Sequence, residues 1–137
     1  AAALCQQHNR DVAFAFNRKE AKDHGEGGEV IGAPLRGRVV IIDDVITAGI
    51  SVEQSVRIIR AAGAEPTAVA IALDREEKMD TSEQSAVAEV ETQFDLPVHV
   101  IAHFSTLVTY LERHSALARY VPAMTAYQSQ YGAKPSR

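Results

Sequence analysis

At 137 residues the chain holds one domain's worth of material, and its 46% hydrophobic and 23% charged residues match an ordinary globular protein with a feasible core. A net charge of −4 argues against a nucleic-acid binder that works by bulk positive charge. The single cysteine, Cys5, excludes an internal disulfide and a structural zinc site and fits a reducing, cytoplasmic setting, while no apolar run approaches the roughly 20 residues that span a bilayer.

The chain opens on Ala1-Ala2-Ala3-Leu4, which reads as the middle of a helix, so it is expected to begin inside a larger fold. No basic segment followed by an apolar run marks a signal peptide. Val12 to Phe16 suits a short strand. Arg18 to Pro34 is polar and holds Gly25, Gly27, Gly28 and Gly32, so a long functional loop is expected. Arg38 to Asp44 (RVVIIDD) has four consecutive β-branched residues and predicts a strand buried on both faces of a parallel sheet. Ser51 to Ala62 predicts a helix: Val52, Val56 and Ile59 recur on one face, Ser51 and Gln54 form a capping-box pattern, and Gly63 stands where a C-terminal cap belongs.

Thr67 to Leu73 (TAVAIAL) is the next strand, and Ser82 to Phe94 a helix with Val87, Val90 and Phe94 on one side. Val98 to Ala102 is a strand, Phe104 to Leu111 a helix, and Leu117 to Tyr131 a final helix with Pro122 in its first turn. Residues 1–131 read as one folded unit and 132–137 as a loose tail. Strand–helix alternation implies an α/β fold with a parallel sheet flanked by helices. In such sheets ligands bind outside the carboxyl ends of the strands, here after Phe16, Ile42 and Leu73.

After Ile42 stand two carboxylates, Asp43 and Asp44, then the turn Val45-Ile46-Thr47-Ala48-Gly49-Ile50-Ser51 leading into a helix. Small residues such as Thr47, Ala48 and Gly49 let backbone N–H groups approach a phosphate, and the helix N-terminus adds unpaired donors and partial positive charge. Asp43 and Asp44 would repel that phosphate. They suit neighbouring hydroxyls instead, such as a ribose diol, for which ionised carboxylates are acceptors. Phosphate on one side and diol on the other describes a ribose 5-phosphate. The bland alternative is an acidic strand end with Ser51 as a simple N-cap.

Arg18, Lys19, Lys22 and His24 fall within the glycine-flanked RKEAKDHGEGG stretch, where Glu20 and Asp23 offset much of the charge. Alone, this is a solvated mixed-charge loop. Asp74-Arg75 ends TAVAIAL, and alone Arg75 would pair with Glu76 or Glu77. His8, His99, His103 and His114 show no metal-ligand spacing, and the tyrosines of the C-terminal helices, Tyr127 among them, read as packing residues.

Taken together, VVIIDDVITAGIS resembles the signature with which type I phosphoribosyltransferases bind phosphoribosyl diphosphate (PRPP), and RKEAKDHGEGG resembles the catalytic loop of orotate phosphoribosyltransferases. One departure is Ile50, which stands where that family commonly has a hydroxyl residue. The resemblance implies transfer of the phosphoribosyl group from PRPP to orotate in pyrimidine biosynthesis. Lys19, Lys22, His24 and Asp44 would be catalytic. Arg18, Lys19, Lys22, His24, Asp43, Asp44 and the turn Val45 to Ser51 would bind PRPP, and Thr47 and Arg75 would contact orotate. It further implies Mg²⁺ held mainly by PRPP oxygens, and a homodimer in which the loop 18–28 acts across the interface. Such enzymes carry about eighty further residues ahead of the point matching Ala1, including the hood over the base.

Two relatives of the same fold remain as alternatives: a purine phosphoribosyltransferase, and a PRPP-sensing regulator without activity. The RKEAKDHGEGG loop and Arg75 argue against the first, and the presence of a catalytic loop argues against the second. A receiver-type signalling domain would need a further strand-end Lys, and none follows Leu73 or Ala102.

Overall fold

The computed structural model describes residues 1–17, 30–79 and 82–133. A short helix, α1 (Ala2–His8), precedes two small strands, β1 (Ala15–Asn17) and β2 (Val30–Gly32). These pair antiparallel, with Phe16 opposite Ile31. The main sheet contains β3 (Arg38–Asp43), β4 (Glu65–Asp74) and β5 (Val98–His103), parallel and in that order. Helix α2 (Ile50–Ala61) connects β3 to β4, and α3 (Ala86–Phe94) connects β4 to β5. Helix α4 (Phe104–Glu112), a 3₁₀ turn (Ala118–Tyr120) and α5 (Val121–Tyr131) follow. The α/β class and the parallel sheet are as the sequence implies.

The core lies between one sheet face and α2 and α3. Ile41, Val69 and Ile71 of the sheet meet Val52, Val56 and Ile59 of α2 and Ala86 and Val90 of α3. Val52 and Val69 are fully buried. The hydrophobic stripe of α2 is therefore the one its periodicity predicts. Gly63 closes that helix as expected, its N–H donating to the Arg60 carbonyl while Ala64 N–H reaches Ile59.

Several expectations are corrected. β3 is buried on one face only: its residues alternate, with Val40 half exposed and Ile42 82% exposed, and Ile101 of β5 is 85% exposed. Continuous β-branched sequence records two apolar faces, but helices cover only one of them among the described residues. The strand expected at Val12 to Phe16 is β1, three residues later in its start. β2 falls inside the expected loop, because Val30 and Ile31 pair with the β1 backbone despite the surrounding glycines. A cavity of about 160 Å³ separates β1 from β3, lined by Phe16, Val40, Ile42 and Ile58 among others.

Helix α3 begins at Ala86 rather than Ser82. Ser85 bridges Lys78 in antiparallel fashion and Gln84 accepts from Met79 N–H, so this backbone is committed before the helix starts. Ser85 then caps the helix, accepting from Ala88 N–H at 3.1 Å. The terminal helix is broken into the 3₁₀ turn and α5, with Pro122 in the first turn of α5. Gly132 and Ala133, expected in a loose tail, are held: Gly132 bridges Glu77, and Ala133 N–H donates to the Glu76 carbonyl. Cys5 is exposed on α1, which buries no residue. No helix among the described residues is long and apolar enough to cross a membrane.

Candidate active site

The carboxyl ends of β3, β4 and β5 bring Asp43-Asp44, Asp74-Arg75 and His103 to one edge of the sheet. Asp44 joins the first two strands beyond their ladder, since its carbonyl accepts from Ala72 N–H at 3.0 Å and Leu73 N–H at 3.1 Å. The segment that follows is built by its own carboxylates. Asp43 accepts from Asp44 N–H at 2.9 Å, and Asp44 accepts from Val45 N–H at 2.8 Å. Ile46 is buried and pins the turn to the core, whereas Thr47 and Ala48 are exposed above it.

Gly49 precedes α2 with φ 69°, a left-handed conformation that L side chains rarely adopt. A Cβ there would also stand 3.2 Å from Cγ2 of the buried Val90. Glycine at this position therefore lets the chain turn sharply into α2 while packing closely against Val90. Ile50 begins the helix with its side chain 69% exposed. The capping box expected at Ser51 does not form. Gly49 is the N-cap, and the Ser51 hydroxyl instead donates to the second Asp43 oxygen at 2.7 Å. A carboxylate acceptor makes the stronger bond, so Ser51 ties the first turn of α2 to the end of β3. The result is a turn, exposed at Thr47 and Ala48, that runs from two carboxylates to the first-turn N–H groups of α2, with Asp43 and Ser51 bridging its ends.

Arg75 leaves the end of β4 and donates from Nη2 to Glu77 Oε2 at 2.5 Å. Its Nε is buried without a hydrogen-bond partner among the described residues. Beside it lies a largely apolar cavity of about 360 Å³, lined by Leu73, Phe104, Leu107, Ala123 and Met124 with Arg75, Glu77 and Tyr127. Glu76, at φ 54°, folds back: its N–H donates to Asp74, and its carboxylate accepts from the N–H and hydroxyl of Ser105 at 2.8 Å each. His103 Nδ1 stands 3.6 Å from Asp74 and 3.8 Å from Glu76.

Asp43, Asp44 and the turn Val45 to Ser51 form one continuous unit at the end of β3, while Arg75 follows the end of the neighbouring β4 with its side chain engaged by Glu77. Arg18, Lys19, Lys22 and His24 lie outside the described residues; the flanking Asn17 and Val30 are paired with each other. Sequence reading missed the polar role of Tyr127. Its hydroxyl donates to Glu77 Oε1, and that bond holds the phenol above its ordinary value near 10. No spacing signal marks a contact between residues 50 positions apart.

No group of three or more His, Cys, Asp or Glu side chains that could hold a metal occurs among the described residues. Asp44 is an exposed residue with one carboxylate oxygen bonded to Val45 N–H, so its other oxygen could help to hold a cation.

No protein-family model matches the chain. It is 53% identical over 132 residues to an orotate phosphoribosyltransferase of Thioalkalivibrio sulfidiphilus, covering 96% of this chain and 62% of that protein. It is 58% identical over 130 residues to one of Chromobacterium violaceum, covering 95% and 60% respectively. Among solved structures, an orotate phosphoribosyltransferase of Francisella tularensis superposes with a TM-score of 0.77 at 27% identity, over 96% of this chain and 62% of that one. UMP synthase of Leishmania donovani, at 24% identity and a TM-score of 0.69, shares the fold. The chain spans about three fifths of the length of the curated relatives it matches. With the acidic strand end and the small-residue turn, this likeness makes the chain similar along nearly its whole length to about three fifths of an orotate phosphoribosyltransferase.

Proposed function

We propose that the full-length protein carrying this sequence transfers the 5-phosphoribosyl group of PRPP to orotate, giving orotidine 5′-monophosphate and diphosphate, a step of pyrimidine biosynthesis. The observation that carries this reading is the β3–turn–α2 unit. Two carboxylates at a strand end and a glycine-capped helix start are joined by one short turn, and Ser51 of the first helical turn is tied to Asp43.

In this reading the N–H groups of Thr47 to Ser51 hold the 5-phosphate. Asp43 and Asp44 accept from the ribose hydroxyls, and Ser51 and the Val45 N–H keep those carboxylates oriented. The C1–O bond to diphosphate breaks with its electron pair leaving on the diphosphate, and the orotate ring nitrogen forms the new bond to C1. No protein nucleophile takes part, so the chain acts by positioning and by stabilising charge. Arg75 and Thr47 receive orotate, the guanidinium matching its carboxylate. Arg18, Lys19, Lys22 and His24 meet the charge that develops on diphosphate, from the neighbouring subunit of a homodimer. Bound Mg²⁺ supplies further neutralisation of the diphosphate oxygens. A cytoplasmic location accords with these soluble substrates.

The test incubates the full-length protein with PRPP, Mg²⁺ and either orotate or a purine base, following base consumption and diphosphate release. Turnover with orotate alone is expected. Turnover with a purine instead, or PRPP binding with no turnover, would overturn the reading.

A further inference from the structure

We propose that Tyr127 and Glu77 are positioning residues for orotate recognition, Tyr127 acting through Glu77 on the Arg75 guanidinium; this rests on the reading of Arg75 as the orotate contact. Arg75 sits on the residue after β4, where the backbone alone does not fix a long side chain. Glu77 fixes it. One of its oxygens accepts from Arg75 Nη2, and the other accepts from the hydroxyl of Tyr127 on α5. Each oxygen of the carboxylate is thereby committed to a different element, and the carboxylate cannot swing without breaking one of the bonds.

Tyr127 is itself anchored. Its ring lies 5.8 Å from that of Phe104 on α4 and 4.8 Å from that of Tyr131. The backbone around Glu77 is clipped to the same helix end, with Lys78 N–H donating to the Tyr131 carbonyl, Gly132 bridging Glu77 and Ala133 N–H donating to Glu76. The C-terminal helix thus carries the support for a residue at the sheet edge.

The chemistry gives this support a second use. A guanidinium that must receive an anionic base is weakened by a permanent carboxylate partner, which competes for its donors and its charge. The Tyr127 hydroxyl draws part of the Glu77 charge into its own bond. Among the described residues Nη2 of Arg75 bonds Glu77 and Nε is buried, which leaves Nη1 as the nitrogen of the fork for a ligand carboxylate. Glu77 therefore aims Arg75, and Tyr127 both aims Glu77 and tempers it.

Steady-state kinetics on the full-length protein, varying orotate and PRPP separately, tests this with Arg75→Ala, Tyr127→Phe and the double variant. Tyr127→Phe keeps the ring packing and removes one hydrogen bond, so KM for orotate should rise about three- to tenfold with KM for PRPP unchanged. In the Arg75→Ala background the same change should add nothing, because there is no guanidinium left to aim. An unchanged orotate KM in Tyr127→Phe, an equal rise in both KM values, or full additivity in the double variant would overturn the proposal. If Arg75→Ala itself leaves orotate KM unchanged, the Arg75 assignment and the proposal fall together. Transfer to a purine instead of orotate would sink the reading of function at the outset.

Discussion

Replacing Asp44 by Asn separates binding from folding. The Asp44 backbone carbonyl, which receives Ala72 and Leu73 N–H, is untouched by the change. The side-chain oxygen that accepts from Val45 N–H at 2.8 Å persists in the amide. The residue is exposed, so no buried volume is lost. Stability should therefore change by no more than about 0.5 kcal/mol, the ordinary range of surface substitutions. Affinity should respond differently. A bond to a charged acceptor contributes about 1.5–3 kcal/mol, so losing the charge that faces a ribose hydroxyl should weaken PRPP binding about 10- to 150-fold. Calorimetric titration of the full-length protein with PRPP, beside a thermal melt, reads both quantities. Unchanged PRPP affinity would remove Asp44 from the site, and a collapsed melting transition would show that its role is structural.

Gly49→Ala forces a side chain into a left-handed backbone and against Val90, so chemical denaturation should show a loss of about 1–2 kcal/mol; wild-type stability would mean that the turn relaxes freely. Two inactive variants, Lys22→Ala and the pair Asp43→Asn with Asp44→Asn, should complement when dissociated and reassembled. Half of the dimers are then mixed with one intact site each, giving about a quarter of wild-type activity. No recovery from verified mixed dimers would place the loop on its own subunit. The raised phenol of Tyr127 contributes stability that is intact below its ordinary value near 10 and lost as pH rises through the folded value, where a phenolate would face Glu77. The melting temperature of wild type should therefore fall toward that of Tyr127→Phe only above about pH 10, and a gap that is constant across that range would refute the assignment.

The elements that sequence disclosed are those fixed by local rules. Val52, Val56 and Ile59 recur at helical spacing and are buried as a stripe, and Gly63 stands at the end of the helix, where its N–H and that of Ala64 reach carbonyls of the last turn. The acidic strand end and the turn after it are contiguous, so their meaning survives without knowledge of the fold. What stayed hidden depends on partners distant in sequence. Ser51 and Gln54 satisfy a capping pattern, yet Asp43, back on the strand, takes the Ser51 hydroxyl. Val30 and Ile31 become a strand only because β1 lies alongside. Nothing local distinguishes Tyr127 from Tyr131, the other tyrosine of α5; its link to Glu77 exists only once α5 docks against the end of β4.

The face of the main sheet that no helix covers among the described residues sets how the stability of these residues should scale with their surroundings. Ile42 and Ile101 stand 82% and 85% exposed on opposite outer strands, with Val40 on the same strand as Ile42 at 51%. Covering an aliphatic side chain contributes about 1.5–3 kcal/mol, so burying the two isoleucines alone is comparable to a sizeable part of a small domain's net stability. A polypeptide limited to these 137 residues should bind apolar dyes, salt out early and melt at a temperature that rises with its own concentration. Whatever polypeptide surface covers this sheet becomes a thermodynamic partner in its folding, and the melting point reports on the pair.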